Sequence, residues 1–263
     1  MIGDKKKYLE HIQDEDQIIT LRKILDNIEK VIRNHSIVSS DFLDPYQREL
    51  SYSILNRFND ISYHEEGGYD NAERKVIVMY PDYLKYSDLE STISAIEVQA
   101  KYKHANLGHK DFLGALMGLG VKREKIGDIN VSDESTQIII SSELSDYIIF
   151  NLDTVGKESV DSKEISLQKI DNVEEEYNKI ITTVSSLRLD TIISAAFNIS
   201  RSDSSNIIKS DKAKVNFKPI DNISYLVNEG DLISVRKKGR VKLKDILGES
   251  KKGRLRIQIY KYI

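Results

Sequence analysis

Lysine and arginine are the side chains whose placement in this sequence points most directly to chemistry. Residues 184–263 hold 17 of them against 8 Asp and Glu, whereas residues 1–183 hold 22 against 34. The net charge of −3 therefore hides an acidic body joined to a basic end. Clustered cations on a folded surface capture polyanions, because each phosphate they neutralise releases condensed counterions. In Arg254-Leu255-Arg256-Ile257-Gln258-Ile259-Tyr260-Lys261-Tyr262-Ile263 basic and polar residues alternate with apolar ones. That is the period of a half-buried strand rather than of a solvated tail.

Other chemistries find little footing. His11, His35, His64, His104 and His109 form no close ligand array, and there is no cysteine. A thiolate zinc site, a disulfide framework and a cysteine nucleophile are thereby excluded, and neither metal nor cofactor is expected. The run from His109 to Asp128 is glycine-rich, but no Gly-Lys-Ser/Thr ends it and it holds no G-x-G-x-x-G, so it is neither a P-loop nor a dinucleotide fingerprint. Gly114 and Gly118 fall on one helix face, where they would permit close approach to a sheet, and Gly120 suits a helix C-terminus. Lys110, Lys122, Arg123 and Lys125 gather at the two ends of this run. They read more simply as a solvated rim than as an RNA contact, and His109 reads as a helix start or an RNA contact.

The elements that must position these residues predict an α+β protein. Hydrophobic residues make up 40% and charged residues 31% of 263, with no apolar run long enough to span a membrane. The charged N-terminus has no apolar stretch behind it, so no signal peptide is expected, no membrane partner is expected, and the absence of cysteine suits a reducing, cytoplasmic location. Residues 1–75 read as a helical N-terminal region. Ile18, Leu21, Ile24, Leu25, Ile28, Val31 and Ile32 make one apolar stripe, and Asp44-Pro45 opens a second helix with Leu50, Ile54, Leu55 and Phe58 inward. Gly67-Gly68 lies between Asp60–Glu65 and Arg74–Tyr80, which read as a hairpin or a strand–loop–strand.

Residues 76–183 read as a ferredoxin-like (split βαβ) central domain with an acidic connector, Asp171 to Glu176, behind it. Its order is a strand at 93–102, a helix at 108–119, strands at 125–131 and 137–141, a helix at 143–152 and a strand at 160–167. In the basic module, 184–263, Asp190 is expected to cap a short helix whose inner face is Ile192, Ile193 and Ala196. Ser200 is expected to cap a second, with Arg201 in its exposed first turn and Ile207 and Ile208 inward. A strand follows at 213–217, and Glu229-Gly230-Asp231 turns into another.

This module resembles the S-four domain, the small RNA-binding fold named after a ribosomal small-subunit protein. The resemblance rests on Arg188-Leu189-Asp190, Ser200-Arg201-Ser202, Val215-Asn216 and Gly230-Asp231-Leu232-Ile233-Ser234-Val235. Asp211 stands where Gly is usual and Ser204 where Ala is usual. The resemblance implies two short helices and a strand presenting a concave basic face to structured RNA. On that pattern Arg188 and Arg201 contact phosphates, Lys209, Lys212 and Lys214 support them, and Arg236, Lys237, Lys238 and Arg240 extend the footprint. Arginine suits the role because its planar fork holds two phosphate oxygens.

The His109–Asp128 run, H-x-D-F-L-G-A-L-M-G-L-G-x-x-R-E-x-I-G-D, resembles the hallmark of the YlmH family of bacterial RNA-binding proteins. That resemblance covers essentially the whole chain. It implies an α-rich N-terminal region, a ferredoxin-like centre and a C-terminal S-four domain, in a cytosolic protein encoded in many relatives near cell-division genes. It further implies partners in rRNA or tRNA and the large ribosomal subunit, with peptidyl-tRNA, during quality control of stalled nascent chains. Neither DNA nor membrane is implied.

Two other classes compete. Arg188-Leu189-Asp190-Thr191 superficially matches the catalytic segment of pseudouridine synthases, but Ile192-Ile193-Ser194 follows where T-x-G-L would be needed, so a non-catalytic binder is expected. A cell-division adaptor, binding protein through the acidic body, is the other alternative.

Overall fold

The computed structural model describes residues 4–10, 12, 14–102, 107–171, 176–250 and 253–262. His11, His104, the first three residues and positions 172–175 of the acidic connector lie outside these. The chain divides into two compact units, Met1–Val173 and Glu174–Ile263.

The first unit opens with α1 (Glu15–Asn34), whose N-terminus is closed by the Asp14 carboxylate accepting from the backbone N–H of Asp16 and Gln17. Leu21, Ile24, Leu25, Ile28 and Val31 are its buried face. After β1 (Val38–Ser39) comes α2 (Pro45–Leu55), where Asp44 and Gln47 cap each other reciprocally and Pro45 takes the first helical position. The Gly67-Gly68 hairpin is β2 (Ile61–Glu66) with β3 (Val76–Pro81), in register from Ile61 opposite Pro81 to Glu66 opposite Val76. With β1 they form a sheet of order β1-β3-β2, so the region expected to be helical carries β1 and β2 and pairs both with β3, past the boundary expected at residue 75.

The same unit continues with β4 (Ile93–Ala100), α3 (His109–Gly118), β5 (Ile126–Val131), β6 (Thr136–Ser141), α4 (Ser145–Asn151), β7 (Thr154–Val155) and β8 (Glu158–Ile165). The sheet order is β5-β6-β4-β8-β7, antiparallel throughout, which is the ferredoxin-like arrangement with a short extra strand hairpinned onto β8. Phe112 and Leu116 of α3 and Ile148 of α4 cover one face, over Ile96, Val98, Ile138 and Ile140. The opposite face is covered as well: Ile93 and Ile139 pack against Phe42, Val76, Val78 and Tyr80. The backbones come so close here that a Cβ on Gly127 would lie 2.7 Å from the Phe42 ring.

Gly114 and Gly118 do not serve the expected close approach. Both are exposed, and a Cβ at either would meet nothing within 4 Å. The apolar pair Phe112 and Leu116 takes the sheet side of α3, so the glycines fall on its solvent side. Gly120, just past the helix end, does adopt the left-handed conformation at φ +85°.

The second unit consists of β9 (Tyr177–Val184), α5 (Leu189–Phe197), α6 (Arg201–Lys209), β10 (Ala213–Val215), β11 (Lys218–Pro219), β12 (Leu232–Val235), β13 (Gly239–Glu249) and β14 (Leu255–Tyr262). They form one six-stranded antiparallel sheet of order β11-β10-β12-β13-β14-β9. β9, whose residues up to 183 were expected to belong to the central domain, instead joins this sheet: it pairs with β14 along its whole length, from Val184 opposite Leu255 to Tyr177 opposite Tyr262. One sheet face (Ala213, Val215, Ile233, Val235, Val241, Leu243, Ile257, Ile259) buries Leu189, Ile192, Ile193, Ala196 and Ile208 of the two helices. Asp211 enters the left-handed region at φ +53°, so it fulfils the role of the missing Gly. Among the described residues no helix is long and apolar enough to cross a membrane.

Candidate nucleic-acid interface

Arg188, not Asp190, is the N-cap residue of α5, and Asp190 lies within the helix's first turn. Its carboxylate is only 3% exposed and is turned to two guanidinium groups. Arg188 donates from Nε to Oδ1 at 3.0 Å and from Nη2 to Oδ2 at 3.2 Å, and Arg201 donates from Nη2 to Oδ2 at 2.9 Å. The hydroxyl of Thr191 adds a bond to Oδ1 at 3.3 Å. A carboxylate this buried needs partners, which is why it serves the arginines instead of capping the helix. Burial by itself would raise the Asp190 carboxyl, but the bonds from Arg188 and Arg201 outweigh it and hold the group below the usual carboxylate range. Arg188 is pushed above its ordinary value, chiefly by its bond to Asp190.

α6 completes this corner. Ser200 caps it as expected, accepting from the Asp203 N–H at 3.0 Å, and this start places Arg201 in the exposed first turn. The side chains of Arg188 and Arg201 are 34% and 56% exposed, so both present donors to solvent while sharing one buried anchor. Ser204 is fully buried, and its hydroxyl donates to the Ser200 carbonyl at 3.0 Å, which satisfies the polar group that replaces Ala.

The other residues expected to bind RNA do not all join this corner. Lys212 and Lys238 line a shallow cavity of about 520 Å3 beside Asp203, Asn206 and Ser210 of α6 and the residue that follows it. Lys209 is exposed at the end of α6. Arg236 and Lys237 sit at the β12–β13 turn, where the Arg236 N–H donates to the Lys212 carbonyl at 2.9 Å. Lys214 and Arg240 face the other way. Lys214 is paired across β10 and β12 with Ser234, and Ser234 across β12 and β13 with Arg240, so all three point away from the helices. The Arg240 guanidinium lies 5.6 Å from the centre of the Phe217 ring. The nine residues thus divide among the helix side, the β12–β13 turn and the outer sheet face of one unit, and do not make a single concave surface.

Two residues of the motif have structural work. Asn216, at φ +48°, donates to Asp231 Oδ1 at 2.7 Å and accepts from the Leu232 N–H at 2.9 Å, while Asp231 accepts from the Asn228 N–H at 2.8 Å. They lock the turns around β12. Sequence reasoning missed the anchoring role of Asp190 and the outward-facing residues of β9 and β13, among them Lys179 and Lys242. The unbroken β-branched run Ile180-Ile181-Thr182-Thr183-Val184 was a usable signal for β9.

The central segment is a different surface. Residues 87–169 hold 9 Lys and Arg against 14 Asp and Glu. Lys125, at the end of the glycine run, bonds Asp41 at 3.2 Å and Glu143 at 2.8 Å, and Lys23 of α1 bonds Asp41 at 2.8 Å and Glu124 at 2.9 Å, so carboxylates engage both cations. The sheet face that could stack bases is closed by Phe42, Val76, Val78 and Tyr80.

Three family models match the chain: "YlmH, N-terminal" over residues 16–84, "Putative RNA-binding domain in YlmH" over 87–169 and "S4 domain" over 187–233. The chain is 35% identical over 218 residues to the "Ribosome-associated protein quality control protein P2" of Bacillus subtilis strain 168, covering 83% of this chain and 84% of that one. It is also similar in structure to the "Cell division protein ylmH from Streptococcus pneumoniae", with a TM-score of 0.51 and 25% identity, over 60% of this chain and 97% of that one.

Proposed function

The chain belongs to the YlmH family, and from that premise we propose that it is a non-catalytic, ribosome-associated protein that grips RNA through its C-terminal unit. The observation that carries the reading is the Arg188–Asp190–Arg201 cluster. One buried carboxylate takes two N–H groups from Arg188 and one from Arg201, and a guanidinium has five. The remaining donors, held in place before any ligand arrives, suit the oxygens of adjacent phosphates. Lys209, Lys212 and Lys238 add positive charge beside α6, Arg236 and Lys237 add it at the β12–β13 turn, and Lys214 and Arg240 add it on the outer sheet face.

The name of the Bacillus subtilis relative supports the ribosome as the place of action and stalled-chain quality control as the process. Within that reading the partners are rRNA or tRNA on the large subunit, including peptidyl-tRNA, and the protein works in the cytoplasm. Co-sedimentation with purified ribosomal subunits at rising salt tests it. Binding to the large subunit that weakens steeply with salt is expected; binding to the small subunit alone, or to neither, contradicts it.

A second reading has one observation in its favour. Met117, Tyr147 and Phe150 are 52%, 47% and 84% exposed on the helices of the net-acidic central segment, a surface better suited to protein than to RNA. The cell-division name of the Streptococcus pneumoniae relative fits an adaptor using that face. A partner retained in a pull-down after ribonuclease treatment supports it, and loss of every partner counts against it.

A further inference from the structure

Among the described residues of its own unit no helix packs on the outer face of the six-stranded sheet, and the side chains there are not those of a simple solvated face. On one rung, Lys179, Tyr260, Lys242 and Leu232 stand side by side across β9, β14, β13 and β12. On a neighbouring rung stand Arg240, Ser234 and Lys214. Next to the first rung, Tyr177 lies flat against Tyr260, with ring centres 3.9 Å apart and planes within 10°. Tyr177 is nevertheless 45% exposed. Strand spacing places Lys179 and Lys242 roughly 10 Å apart, one on each side of Tyr260. On the rung beyond, the carboxylate of Asp245 accepts from Gln258 at 3.2 Å, and Gln258 also donates to the Tyr260 hydroxyl at 3.3 Å. These bonds fix the Tyr260 ring from behind.

A lysine on an edge strand guards against strand-to-strand aggregation, and a cross-strand tyrosine pair strengthens a sheet. Those needs account for Lys179 and for the ring stack. They do not account for Lys242, Arg240 and Lys214, which lie on interior strands of the same face. Exposed aromatic rings on a sheet, with cations beside them, are a surface on which unpaired bases stack while the phosphates are held alongside. We propose that this face is a second RNA site, which takes an unpaired segment by stacking a base on the Tyr177–Tyr260 pair and holding its phosphates with Lys179, Lys242, Arg240 and Lys214. β9, β13 and β14, which carry Tyr177, Lys179, Arg240, Lys242 and Tyr260, lie outside residues 187–233 and only Lys214 on β10 lies within them, so most of the site is added to the S-four core. The helix-side arginines grip structured RNA, and the sheet takes single-stranded RNA that leaves it. The inference rests on the RNA-binding reading above.

The test uses the full chain and two probes, a twelve-nucleotide adenosine RNA and a stable RNA hairpin with no unpaired tail. Wild-type protein is expected to bind both. Tyr177→Ala should weaken binding of the adenosine RNA by roughly fivefold to a hundredfold, the loss of one stacked base, and leave hairpin binding unchanged. Tyr177→Phe keeps the ring and should bind both as wild type does, which separates stacking from damage to the sheet. Hairpin binding without adenosine-RNA binding, or adenosine-RNA binding that survives Tyr177→Ala, overturns the sheet site and leaves the arginine site standing. Binding of neither probe overturns both.

Discussion

Arg201 reaches back across eleven residues of chain to place its Nη2 2.9 Å from Asp190 Oδ2, so the first turns of α5 and α6 share one buried carboxylate. Asp190 thereby does two jobs. It ties the two helices together, and it aims both guanidiniums at one patch of solvent. Removing either arginine leaves the buried carboxylate with fewer partners, so Arg188→Ala and Arg201→Ala should each cost stability as well as binding.

Replacing that carboxylate should therefore cost both stability and binding. Asp190→Asn keeps the shape but weakens charge-assisted bonds, and a loss of about 1.5–3 kcal/mol is expected. Chemical denaturation measures it. RNA affinity should fall as well, even though Asp190 itself repels phosphate. Tighter RNA binding in the variant would show that the carboxylate merely opposes the ligand.

The two arginines should respond differently from lysines. Arg201→Lys retains the charge but cannot hold Asp190 and a phosphate with one planar fork. It should lose about tenfold in RNA affinity, close to the loss in Arg201→Ala, when the two are compared by filter binding. Full activity in the lysine variant would reduce the site to a point charge.

Acid should loosen this corner in a defined direction. The Asp190 pKa is lower folded than unfolded, so its contribution is fully present above the ordinary carboxylate pKa of about 3.9 and is lost as pH falls through the folded value. Melting curves of wild type and Asp190→Asn should run parallel from pH 7 to about 5 and converge below about 4. A constant gap down to pH 2 would mean that Asp190 titrates as an ordinary surface acid.

The glycines of the central segment make opposite predictions. Gly127→Ala forces a Cβ against the Phe42 ring at 2.7 Å and should destabilise by roughly 1–3 kcal/mol. Gly114→Ala adds a methyl to an exposed helical position with nothing within 4 Å, and should stabilise by about 0.5–1 kcal/mol. Thermal melts of the two variants check both signs.

Much of the architecture was legible in the residues. The order of strands and helices from 93 to 167, the Asp44-Pro45 helix start and the Ser200 cap all follow from local periodicity and capping chemistry, and the structure reproduces them. What stayed hidden depends on contacts distant in sequence. Asp190 reads locally as a helix cap, and only the fold brings Arg201 to it. Gly114 and Gly118 share a helix face by spacing, but spacing does not say whether that face meets the sheet or water. Lys214 follows a strand pattern that names two faces without saying which one the helices cover, so its separation from Arg188 could not be foreseen.

The most direct measurement is ultraviolet crosslinking of the full chain bound to ribosomes, with the crosslinked peptides identified by mass spectrometry. RNA adducts should fall on peptides from 177–262, including those that carry Arg188 and Arg201. Adducts confined to residues 4–171 would contradict the account.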